Sequence, residues 1–196
     1  GVQTCALPIS RAAGLATAAT IEFLVSPETG EYWFIEGNAR IQVEHTVTEQ
    51  VTGVDLVQAQ FRLAGGAPLA SLGLASQADV PAPRGYAVQA RVVARGTGTL
   101  TGYREPTGAG VRVDSCGYNG WTPPPVFDPL FAKVIGQGVS LDAAVERTRR
   151  ALGDFHVSGV PTNVAELQGY LAIPAVRNGD ARTTLVDRSE EHTSEL

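Results

Sequence analysis

The chain has 196 residues, 43% of them hydrophobic, and a formal charge of −5, which allows one large domain or two small ones with an ordinary core. The acidic balance argues against a nucleic-acid binder, which shows a basic stripe, and no apolar run approaches the roughly 20 residues of a membrane span. With no leader-like opening either, a cytoplasmic location away from membranes is expected.

The two ends are set apart first. GVQTCALPIS at the start and RSEEHTSEL at the finish resemble the two strands of a sequencing adapter translated in frame, and back-translated they are nearly reverse complements. Residues 1–10 and 188–196 are therefore read as adapter-derived scars. Without Arg188, Glu190, Glu191 and Glu195 the net charge is −3, and without Cys5 a single cysteine, Cys116, remains. A lone cysteine forms no internal disulfide, in keeping with a reducing compartment. Cys116 is read as a small buried or half-buried residue without redox duty. The rest is expected to be an internal piece of a longer polypeptide.

Thr20 to Val25 and Glu31 to Ile35 carry alternating β-branched and aromatic residues around SPETG, a hairpin signal. Pairing Val25 with Trp33 leaves Glu28, Thr29 and Gly30 as a three-residue loop with glycine in the left-handed position. The same register sets Phe23 opposite Ile35 and Glu22 opposite Glu36. Thr46 and Glu49 form a capping-box pattern, and Asp55 starts a second apolar-periodic stretch that stops at Gly65 and Gly66. Residues 67–83, rich in Ala, Ser, Gly and Pro, read as a linker. Short strands follow at Tyr86 to Val93, Gly98 to Tyr103, Val111 to Ser115 and Phe131 to Gly136. Ser140 then caps a helix to about Leu152, and Thr162 caps another that ends before Pro174.

The chemistry concentrates in EGNARIQVE. Glu36, Asn38, Arg40, Gln42 and Glu44 alternate, so in an extended backbone they share one face. Glu22 and Glu36, bare and opposed, repel unless a cation lies between them. Two carboxylates beside the Asn38 amide suit Mg²⁺ or Mn²⁺ better than zinc. Arg40 can grip a planar anion such as bicarbonate in a fork, with Gln42 adding a donor. Glu44 beside that fork is placed to act as a general base. Against this stands the plain alternative of solvated surface glutamates and an Arg40–Glu44 ion pair. His45 points away from Glu44 and reads as structural, and His156, in a short turn or strand, as incidental.

FIEGNARIQVEHTVTEQVTGVDLVQAQ closely resembles the signature FIE-x-N-x-R-x-QVEH-x-VTE of biotin carboxylases, the ATP-grasp component of biotin-dependent carboxylases. GYAVQARV, GVRVD, FDPLFAKVI and GVPTN resemble the carboxy-terminal domain of the same family. The resemblance, from about Arg11 to Val186, implies an α+β fold. Residues 11–66 would be the last part of an ATP-grasp domain, an antiparallel sheet with helices, and 84–187 the small α+β carboxy-terminal domain. It implies that Glu22, Glu36 and Asn38 hold the Mg²⁺ or Mn²⁺ that bridges ATP, and that Arg40, Gln42 and the backbone of Val43 hold bicarbonate. Glu44 would be the base, and Arg112 would stabilise the enolate of biotin. From spacing alone Arg112 has no special claim. The implied partners are a biotinylated carrier and a carboxyltransferase, on this chain or another, in a homo-oligomer. Gly37 and Ala39 are smaller than many members carry, and the stretch from Arg91 to Gly98 is shorter. The family's amino-terminal domain, lid and ATP-binding lysines are missing, so the fragment alone is expected not to turn over ATP. The alternatives are a carbamoyl-phosphate-synthase-like ligase fragment and a non-catalytic dimerisation or scaffold module.

Overall fold

The computed structural model describes residues 2–126, 128–181 and 185, so the closing segment read as a scar and the last residues before it, Leu185 apart, lie outside the described residues. The chain divides into two compact units, one up to Ala82 and one from Pro83.

The first unit opens with helix α1, Val2–Ala12, which covers most of the segment set aside in the sequence. Strands β1, Thr20–Val25, and β2, Tyr32–Asn38, then pair antiparallel. Their turn is longer than expected. The Ser26 N–H donates to the Glu31 carbonyl at 2.8 Å and the Gly30 N–H to the Ser26 carbonyl at 2.9 Å, which leaves a four-residue loop, 27–30. Gly30, at φ 70°, takes the left-handed conformation. Ser26 holds the loop open because its hydroxyl accepts from the Thr29 N–H and donates to Glu28. The extra residue moves the register by one, so Phe23 faces Phe34 rather than Ile35 and Val25 faces Tyr32 rather than Trp33. A bulge after Glu22 absorbs the difference at Ile35 and restores Glu22 opposite Glu36.

Helix α2, His45–Thr52, starts one residue before the expected cap, with Glu44 at its N-cap and no side-chain cap bond there. Glu49 turns toward the next helix, α3, Leu56–Ala64, accepting from the Leu56 N–H at 2.7 Å. Asp55, the expected start of this stretch, is the N-cap of α3, accepting from the Gln58 N–H at 2.7 Å. Thr46 and Glu49 are the buried residues of this unit among those described. Leu24, Trp33, Phe34 and Ile35 accordingly remain about half exposed. The predicted linker is not featureless, since it folds into two 3₁₀ turns, Leu69–Leu72 and Gln77–Asp79.

The second unit is built on an antiparallel sheet of β3, Tyr86–Val93, β6, Leu130–Gly138, and β5, Val111–Ser115, in that spatial order. Helices α4, Leu141–Asp154, and α5, Val164–Ala172, pack over a core of Val92, Phe131, Val134, Val145 and Leu152. Ser140 caps α4, accepting from the Ala143 N–H at 3.2 Å. The short helix α6, Pro174–Arg177, follows. The strand expected at Gly98 shrinks to β4, Gly102–Arg104, paired with β7, His156–Ser158. The preceding residues serve other partners, Leu100 bonding the Trp121 carbonyl and Thr101 the Ser158 carbonyl.

Asn163, not Thr162, is the N-cap of α5, and its side chain is spent elsewhere. Its Oδ1 accepts from the Val93 N–H at 2.9 Å and its Nδ2 donates to the Arg91 carbonyl at 3.0 Å. This amide replaces a missing strand neighbour where β3 bulges after Val92. Cys116 is exposed, contrary to the buried reading, at the point where β5 runs out into a loop. No described helix is long and apolar enough to cross a membrane.

Candidate active site

The polar stripe does not lie on one continuous strand. Strand β2 ends at Asn38, where its last partner is Thr20, and an unpaired backbone beyond that point gains nothing by staying extended. Residues 39–44 turn instead, and Glu44 has helical dihedrals, φ −72° and ψ −11°. His45 fastens the turn, its Nδ1 lying 2.7 Å from the Gln42 carbonyl. A carbonyl only accepts, so Nδ1 carries the proton. This is the structural role expected of His45.

The turn still gathers the polar groups. Glu22 and Glu36 face each other across the hairpin, and the Asn38 amide donates to both, at 3.2 and 2.9 Å. Gln42, expected only at the anion end, also reaches back and donates to Glu22. One pair of amides thus compensates two carboxylates that would otherwise repel. Among the described residues no group of three or more His, Cys, Asp and Glu could hold a metal. Two carboxylates and an amide, which presents oxygen when rotated about χ2, nevertheless form an all-oxygen set that fits Mg²⁺ or Mn²⁺.

Arg40 is exposed in the turn and donates to the Ile41 carbonyl at 3.2 Å, while Thr20 donates to the Arg40 carbonyl at 3.4 Å. Val43 and Glu44 complete the turn. Glu44, Gln42 and His45 border a cleft of about 640 Å³ whose other walls include Thr20, Ile21 and Ile41.

Arg112 belongs to the second unit, on β5. Its guanidinium makes a two-pronged contact with Asp114, Nε to Oδ1 at 2.7 Å and the second nitrogen to Oδ2 at 2.9 Å. Lys133 lies 3.4 Å from the same carboxylate. Strand pairing puts Arg91, Lys133 and Asp114 in one row and Gln89, Ile135 and Arg112 in the next, on the sheet face away from α4. Sequence reasoning missed Arg91, Lys133 and Asp114. The signal was the two-residue spacing in QAR and RVD, which sets polar residues on a common strand face.

Burial pushes the Asp114 carboxyl up, but the hydrogen bonds and charge of Arg112, with Lys133 behind them, hold it below the ordinary 3.8. A depressed carboxylate stabilises the fold above its unfolded pKa, and that contribution is lost as pH falls through the folded value. Asp114→Asn is therefore expected to cost about 1–3 kcal/mol at pH 7. It should also remove part of the stability loss seen on acidification below about pH 4. Urea unfolding of both forms across pH 3–7 checks this, and an acid-side slope unchanged by the substitution would contradict it.

The biotin carboxylase C-terminal domain family matches residues 88–188, just over half of the chain. The ATP binding domain of the carbamoyl-phosphate synthase L chain matches residues 1–72. A pyruvate carboxylase subunit of Methanothermobacter thermautotrophicus is 39% identical over 182 residues, which cover 89% of this chain and 36% of that protein. Biotin carboxylase 1 of Bacillus subtilis is 39% identical over 167 residues, 81% of this chain and 36% of that one. The chain thus spans about a third of the length of these relatives. Among solved structures, the biotin carboxylase domain of a single-chain bacterial carboxylase superposes with a TM-score of 0.89 at 42% identity, covering 97% of this chain and 45% of that one. The biotin carboxylase domain of Hydrogenobacter thermophilus 2-oxoglutarate carboxylase, a dimer solved with MgADP, ADP and bicarbonate, superposes with a TM-score of 0.88 at 33% identity, covering 96% and 42%. The chain belongs to the biotin carboxylase family, as a stretch that joins part of the ATP-grasp domain to the carboxy-terminal domain.

Proposed function

We propose that the protein containing this chain carboxylates biotin with bicarbonate at the expense of ATP, and that this chain supplies one side of the site. The observation that carries the reading is the Glu22–Glu36 pair, joined through Asn38 and Gln42 to the turn that holds Arg40 and Glu44. A divalent cation bound by Glu22, Glu36 and Asn38 would neutralise charge on the ATP phosphates.

Arg40, with Gln42 and the Val43 backbone, orients bicarbonate, and Glu44 takes its proton. A bicarbonate oxygen then forms a bond to the γ-phosphorus as the bond to the ADP oxygen breaks, giving carboxyphosphate. Cleavage of the carbon–oxygen bond releases carbon dioxide and phosphate. The phosphate removes the ureido N–H proton of biotin, and the nitrogen adds to carbon dioxide. A cationic side chain holds the ureido oxygen while negative charge grows there.

The family resemblance assigns that last role to Arg112. The geometry favours Arg91 for the direct contact, because Arg91 is exposed on the same sheet face while the Arg112 fork is engaged by Asp114. In the full-length carboxylase given free biotin, Arg91→Ala is expected to lower biotin carboxylation about 10²- to 10³-fold. Bicarbonate-dependent ATP cleavage without biotin should be retained. The reverse pattern, with Arg112→Ala selective and Arg91→Ala silent, would return the role to Arg112.

A carbamoyl-phosphate type of reaction shares the ATP-binding half of the site, but the second domain match, over 88–188, is to biotin carboxylases. The proposed setting is a homo-oligomer served by a biotinylated carrier and a carboxyltransferase.

A further inference from the structure

A second cavity is lined by residues that the proposed carboxylation chemistry does not use. In the second unit, where β3 begins and β6 ends, a hollow of about 430 Å³ is lined by Arg84, Gly85, Gln137, Gly138, Val139 and Arg147. Among the described residues, its charged lining residues are the two arginines. Neither Arg84 nor Arg147 has an ion-pair partner among the described residues, whereas Arg95, Arg112, Arg149, Arg150 and Arg177 each meet a carboxylate. In a chain with a net charge of −5, two arginines line this hollow and no acid does.

Gln137 ties the backbone of Arg84 to the guanidinium of Arg147. The Gln137 side chain donates to the Arg84 carbonyl at 3.0 Å, and the Gln137 carbonyl accepts from the Arg147 guanidinium. The floor is close-packed backbone. A Cβ at Gly85, which has φ +72°, would come within 2.3 Å of the Gly138 carbonyl oxygen. The N-terminus of α4 begins two residues past Val139 and adds positive potential. The Arg147 guanidinium and the Arg84 backbone are thus fixed, with guanidinium N–H donors to spare, which reduces the ordering cost of binding.

We propose that this hollow binds a phosphate-sized dianionic oxyanion, free phosphate or the terminal group of a small phosphomonoester. Two guanidinium charges suit two negative charges better than one, and the fork geometry matches phosphate oxygens. The proposal does not depend on the carboxylation chemistry.

The test uses the 196-residue chain, titrated with inorganic phosphate at constant ionic strength and followed by ¹H–¹⁵N NMR at the Gly85, Gly138 and Val139 amides. Saturable shifts at these amides are expected, with affinity falling about tenfold or more in Arg147→Gln and in Arg84→Gln. Arg84 is exposed, so that variant tests the site even if Arg147→Gln fails to fold. Arg150→Gln, on the same helix but paired with Glu146, should leave binding unchanged. A parallel titration with methyl phosphate separates the sources, since saturation there assigns the site to phosphomonoesters and its absence to free phosphate. Shifts that stay linear with concentration, or an equal loss in Arg150→Gln, would overturn the proposal.

Discussion

Glu44→Gln in the full-length carboxylase is expected to lower bicarbonate-dependent ATP cleavage by about 10²- to 10⁴-fold, the usual contribution of a positioned general base. Glutamine keeps the shape and the hydrogen-bonding reach of the side chain but cannot take the bicarbonate proton. Bicarbonate binding should change little, because Arg40, Gln42 and the Val43 backbone are untouched, so the loss should fall on kcat rather than on KM for bicarbonate. Steady-state kinetics over a bicarbonate series reads the two apart. An undiminished rate would remove Glu44 from the role of base.

The second large effect concerns the opposed carboxylates. Glu36→Gln takes one charge from the pair that faces across the hairpin, and two properties should then move in opposite directions. Activity in the full-length carboxylase is expected to fall about 10²- to 10³-fold, with a raised Mg²⁺ requirement, because several kcal/mol of charge stabilisation on the phosphates is lost. Stability without metal should stay level or rise by a few tenths of a kcal/mol, because like charges placed opposite each other oppose strand pairing. Thermal unfolding in EDTA and a Mg²⁺ titration of activity measure the two. A variant that lost stability in EDTA while keeping its Mg²⁺ dependence would mark Glu36 as structural.

Much of this site is visible in the residues because its chemistry is local. A hairpin pattern places Glu22 opposite Glu36, and that pairing survives although the register around it moves. What alternation cannot show is where a strand stops. The Glu36 to Glu44 stripe assumed that a period of two persists, yet strand geometry needs a partner, and β1 supplies none beyond Thr20. The turn that follows carries Gln42 back to Glu22, a contact no strand could make. The hairpin loop was misjudged because a side chain, Ser26, sets its length.

The second unit shows the same division. Tyr86–Val93 and Val111–Ser115 are strands at the expected bounds because both carry strong β-branched alternation. The role of Asn163 depends on two backbone groups about 70 residues away, at Arg91 and Val93, and nothing within GVPTN announces them. The hold of Asp114 on Arg112 was within reach of the spacing rule, whereas Lys133 joins them only through the pairing of β5 with β6.

The proposed chemistry turns on the attack of bicarbonate, activated by Glu44, on the γ-phosphate of ATP. Its most direct test follows oxygen. With ¹⁸O-labelled bicarbonate and the full-length carboxylase, one labelled oxygen per turnover should appear in the released phosphate, because the attacking oxygen stays with phosphorus when carboxyphosphate breaks at its carbon–oxygen bond. Phosphate that draws its new oxygen from water instead would contradict the account.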